Sequence, residues 1–174
     1  MDMQYLLDSL LQKGLQQGAY PGAVAACGDR EHVYALSCIG KIAENGPEVT
    51  KETRYDMASL SKILGTTMVA FKALEAGDLS LYDPITRFFE DVPEDKKSIN
   101  IFHLMTHTSG LKAEIRLDRL LDSPDQALRA LLNSELDHKP GETPVYSCMG
   151  YITLGFALES LYGKPLKELA RDLL

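Results

Sequence analysis

Tyr55-Asp56-Met57-Ala58-Ser59-Leu60-Ser61-Lys62 reads as a short extended approach running into a helix that begins at Ser59. Downstream, Leu60, Ile63, Leu64, Met68, Phe71 and Leu74 recur at helical spacing to Ala76, and Gly77 is a plausible stop. Ser59 and Lys62 are three residues apart, so this helix places them on one face, a turn from each other. A serine hydroxyl is a weak nucleophile until a neighbouring base takes its proton. A lysine can serve if burial or a nearby cation lowers its pKa. The helix N-terminus adds backbone N–H groups that favour a developing oxyanion. Serine, lysine and a helix start at this spacing therefore suit acylation of Ser59, with Lys62 as its activating partner. The plainer alternative is a serine that only caps its helix. Ser61 also flanks the lysine but sits off the Ser59–Lys62 face.

Working outward, Tyr5, Leu6, Leu10, Leu11 and Leu15 mark an amphipathic first helix ended by Gly18 to Gly22. Two apolar runs follow, Ala23 to Cys27 and His32 to Ile39, joined by Gly28-Asp29-Arg30, which predicts an antiparallel pair. Asp83-Pro84 and Ser123-Pro124 each read as a cap followed by proline at the first helical position. Residues 100 to 107 form a further short helical stretch. An amphipathic helix is expected over Ser147 to Leu161, and another over Pro165 to Leu174. One strand pair against about six helices is an odd balance, because a two-stranded sheet is marginal alone and leaves an exposed edge. The expectation is a partial domain with sheet-forming strands missing.

The 174 residues, 45% hydrophobic and 25% charged, suit a soluble globular chain, and a net charge of −7 leaves no basic footprint for nucleic acid. No run approaches the ~18 apolar residues of a membrane span. The first residues lack a basic stretch followed by an apolar one, so a cytoplasmic location is expected. Cys27, Cys38 and Cys148 are odd in number and form no CxxC, which argues against disulfides or a zinc site. His103 and His107 share the four-residue spacing of a metal-binding helix face, but the glutamate of HExxH is absent. Neither a metal nor a cofactor is expected.

Further segments give the Ser59 motif a context. Phe102-His103-Leu104-Met105-Thr106-His107-Thr108-Ser109-Gly110-Leu111 resembles "RHLLTHTSGL", Pro140-Gly141 to Tyr146-Ser147-Cys148 resembles "PG…YSN", and Gly150 to Gly155 resembles "NYxLLG". Pro21-Gly22-Ala23 and Leu79 to Phe89 match an early "PG" strand entry and an "LxLDDPV" segment. In this order, with S-x-x-K, the chain resembles the N-terminal portion of the class C β-lactamase-like family within the serine β-lactamase and penicillin-binding-protein superfamily.

That resemblance implies an α/β (α+β) fold: an antiparallel sheet flanked by helices, with residues from about 80 to 140 in a helical region. Residues 1–174 would form a single partial domain. It implies a serine hydrolase working through an acyl-enzyme on a β-lactam, a D-amino-acid peptide or a small ester. Ser59 would be the nucleophile, Lys62 its proton acceptor or electrostatic partner, and Tyr146 a proton shuttle. Cys148, at the substrate-binding position, stands where the family usually has asparagine, and a thiol is a far weaker hydrogen-bonding group than an amide. The family's Lys/His-Thr-Gly segment does not occur after Tyr146. The competing expectation is a catalytically silent fragment that self-associates through its sheet edge, or folds with a partner chain.

Overall fold

The computed structural model describes residues 2–114 and 123–174. The helical region expected over about 80–140 therefore includes residues 115–122, which lie outside the described residues. The chain divides into two compact units, Met1–Asp56 and Met57–Leu174.

In the first unit, helix α1 (Met3–Gln16) packs on an antiparallel pair, β1 (Gly22–Gly28) and β2 (Val33–Gly40). Asp2 caps α1 by accepting the Gln4 N–H at 2.9 Å. The hairpin turn is built on Asp29, whose carboxylate accepts the N–H groups of Glu31 and His32. Gln4 then closes part of the sheet edge. Its carboxamide accepts the Leu36 N–H at 3.2 Å and donates to the Leu36 carbonyl at 3.1 Å, standing in for a neighbouring strand.

The second unit is helical. Its core gathers Val69, Ile85, Ile101, Leu104, Leu131 and Leu154 from separate elements. The helix after Ser59 differs from its expected form. It begins at Leu60, runs as a π-helix over Lys62–Thr67 and continues as α2 (Met68–Ala76). Most of the helix's large apolar residues lie outside the core. Leu60, Ile63, Leu64 and Phe71 are 50 to 57% exposed, while the small residues Val69, Ala70 and Ala73 are buried. Large apolar residues set the periodicity, but the packed face is the one whose short side chains allow close approach to neighbouring helices.

The expected helix at Asp83-Pro84 is a single 3₁₀ turn, Ile85–Arg87, and the Asp83 carboxylate does not cap it. That carboxylate instead accepts the Ser80 N–H and pairs with Arg87. Helix α3 spans only Ile101–Met105, held by a capping box between Asn100 and His103. His107 follows the helix with φ +59°, so His103 and His107 share no helix face. Helix α4 (Pro124–Leu132) starts from Ser123 as its sequence implies. Helix α5 (Cys148–Tyr162) is expected to be amphipathic yet is buried at Met149, Gly150, Thr153, Leu154, Gly155, Ala157 and Leu158. It is the helix around which the unit packs. Helix α6 (Leu166–Leu173) lies against it, with Leu166 reaching 3.3 Å from where a side chain on Gly155 would begin.

Candidate active site

Ser59 sits in the turn just ahead of the helix. Leu60, Ser61 and Lys62 donate their N–H groups to the carbonyls of Met57, Ala58 and Ser59. Ala58 holds φ at +43°, a conformation disfavoured for a residue with a Cβ. This tight, strained turn presents Ser59 at the exposed start of the helix, and the Lys62 amine donates to its Oγ at 3.2 Å.

Tyr146 and Cys148 arrive from the opposite side, at the N-terminus of α5. Ser147 fixes that arrival. Its hydroxyl accepts the Gly150 N–H at 3.0 Å and donates to the Lys112 carbonyl at 2.7 Å. The Ser147 N–H donates to His107 Nδ1 at 3.1 Å, Val145 N–H to the His107 carbonyl at 2.9 Å, and Cys148 N–H to the Ala113 carbonyl at 2.8 Å. The Thr106–Ala113 loop is thus a backbone template for residues 145–148. The His107 ring lies 4.6 Å from that of Tyr146 and 4.9 Å from that of Tyr151. The Tyr151 hydroxyl lies 3.1 Å from Thr67 Oγ1, joining α5 to the helix that carries Lys62.

These supports bring Ser59, Lys62, Tyr146 and Cys148 around one ammonium. Lys62 Nζ lies 5.4 Å from the centre of the Tyr146 ring. Burial pulls its pKa down, but hydrogen bonds and charge interactions with the Tyr146 hydroxyl and the Cys148 thiol outweigh that, and the net shift is upward. The sequence-based route to a neutral lysine base needs a neighbouring cation or dominant burial; the residues present favour the charged form instead. His107 moves the other way. Burial first, and the Lys62 charge second, hold its pKa down, which suits an Nδ1 that must stay an acceptor for Ser147.

Two residues that sequence reasoning leaves outside the site prove close to it: His107 and Tyr151. The motif containing His107 is visible in the sequence, but its contact with Tyr146 crosses about 40 residues and has no local signature. Among the described residues no group of histidine, cysteine and acidic side chains could hold a metal ion, and no helix is long and apolar enough to cross a membrane.

The β-lactamase family profile matches residues 7–174. Protein flp of Staphylococcus aureus (strain COL) is 28% identical over 92% of this chain and 34% of its own length. A putative D-alanyl-D-alanine carboxypeptidase of Escherichia coli (strain K12) is 31% identical over 75% of this chain and 33% of its own. The chain thus spans about a third of the length of these relatives. A class C β-lactamase structure superposes with a TM-score of 0.86 at 22% identity, covering 98% of this chain and 47% of that one. This likeness shows the β-lactamase/transpeptidase fold.

Proposed function

Since the chain belongs to the β-lactamase family, we propose that Ser59 is the nucleophile of an acyl-transfer reaction and that Lys62 serves it as a cation rather than as a neutral base. The observation that carries this is the 3.2 Å hydrogen bond from the Lys62 amine to Ser59 Oγ, together with the upward shift of the Lys62 pKa. An ammonium beside the nucleophile cannot take its proton, but it stabilises the alkoxide that forms. The acceptor is then the phenolate form of Tyr146, whose ring stands beside the same ammonium. The phenolate takes the Ser59 proton during attack on the carbonyl, and the resulting phenol gives it to the leaving group, leaving an ester on Ser59 Oγ that water hydrolyses. The Ser59 N–H, ahead of the three committed donors, supplies one oxyanion contact. Substrates of the class are β-lactams, D-amino-acid peptides and small esters, and Cys148 lies where they would lie against Lys62.

The test is intact mass after incubation with a β-lactam and, separately, with a fluorophosphonate. A wild-type adduct that Ser59→Ala lacks is the expected result; an adduct that survives Ser59→Ala would refute the assignment. A second reading, a catalytically silent chain that associates with another, is favoured by the exposed apolar face of the Ser59 helix. It predicts no adduct with either probe.

A further inference from the structure

We propose that the groove beside Lys62 binds the apolar acyl chain of a carboxylic ester, so that medium-chain esters, rather than amide-bearing peptides or β-lactams, are the preferred substrates; this rests on the reading of Ser59 as nucleophile. The groove holds about 640 Å³, within the usual range for small-molecule sites. It opens beside the site at Lys62 and Cys148 and runs along Gly65, Ile152, Gly155 and Phe156 to Ala170. Its lining is mainly apolar carbon.

Three features choose the occupant. Continuity is the first: Lys62 lines the groove and is also hydrogen-bonded to Ser59, so a chain attached at the Ser59 ester begins at the groove's mouth. The second is the absence of a side chain on one wall: Gly65 has open space around the point where a Cβ would stand. The third is the mouth itself. Cys148 offers a thiol, which binds a substrate amide only weakly and tolerates a methylene chain. A site built to hold an acylamino group would leave that group's N–H and C=O poorly paired here, which penalises peptides and β-lactams.

The experiment uses the purified chain with p-nitrophenyl acetate, butanoate, hexanoate and octanoate, beside an N-acetyl-D-Ala-D-Ala peptide. Burial of added methylenes should raise kcat/KM by about tenfold or more from acetate to octanoate. Gly65→Leu and Ala170→Phe, which fill the groove, should erase that rise, bringing the octanoate-to-acetate ratio of kcat/KM down to about one. Circular dichroism verifies that both variants are folded. A flat wild-type profile, faster turnover of the peptide than of octanoate, or variants that lower acetate and octanoate alike would each overturn the proposal. If no ester acylates Ser59, the catalytic reading fails on its own, and calorimetric titration with decanoate then decides the groove. Binding that Gly65→Leu abolishes supports it, and no binding to the wild type overturns it.

Discussion

Lys62 is asked for two incompatible things by a simple reading of Ser-x-x-Lys: to be near the serine, and to be neutral. The structure provides the first. It surrounds the amine with groups whose anions favour its protonated form. With its pKa raised above the ordinary lysine value, Lys62 stays charged through neutral pH and loses its proton only as pH rises through the elevated value. The cation's contribution to acylation should therefore be constant across neutral pH and be lost only at strongly alkaline pH. Lys62→Arg, a permanent cation, should keep about a tenth or more of the acylation rate, whereas Lys62→Met should fall far lower. Equal loss in both variants, measured by single-turnover acylation across pH, would show that a neutral amine is needed. The pairing of Ser59 with Lys62 was legible in the sequence because the two are three residues apart across a helix start. The direction of the lysine shift was not, because Tyr146 and Cys148, which decide it, lie more than 80 residues away.

At the scale of elements, the site depends on how α5 begins. Ser147 is buried, and its hydroxyl both caps the helix at Gly150 and ties it to Lys112, while its N–H is tied to His107. Ser147→Ala removes the cap and leaves the Lys112 carbonyl without this donor. It should cost about 1–3 kcal/mol of stability, read as a lower urea midpoint with an unchanged slope. Ser147→Thr, which keeps the hydroxyl, should recover much of that. A loss confined to activity, with the midpoint unmoved, would mean that the cap does not hold the helix start. The same element shows what sequence could convey. The starts of α4 and α5 were readable from Ser123-Pro124 and Ser147, because capping is local chemistry. The burial of α5 was not readable, because it arises from helices packing around it. Asp83-Pro84 has the right local chemistry for a cap, but Arg87 and the Ser80 N–H compete successfully for its carboxylate.

For the whole molecule, the orientation of the helix that carries Lys62 matters most. Periodicity placed its large apolar residues on one face but could not say what that face meets; burial chose the face with Val69, Ala70 and Ala73, and left Leu60, Ile63, Leu64, Met68 and Phe71 exposed. These five fall on adjacent turns, so they form one patch rather than scattered residues, and such patches mark contact surfaces or aggregation sites. Self-association was expected from the sheet edge, but Gln4 already occupies the backbone groups of Leu36 there. The helix face is a second exposed apolar surface on which self-association can be tested. Light scattering coupled to size exclusion should show a mass that climbs above the 19.2 kDa monomer as concentration rises. The double variant Leu64→Lys/Phe71→Lys should stay monomeric with unchanged helix content, because two charges on that face cannot be buried without partners. Neither side chain belongs to the buried core, so the variant tests the surface and not the fold. A wild-type chain that remains monomeric at every concentration would show that this face, although apolar, is stable in water as it stands.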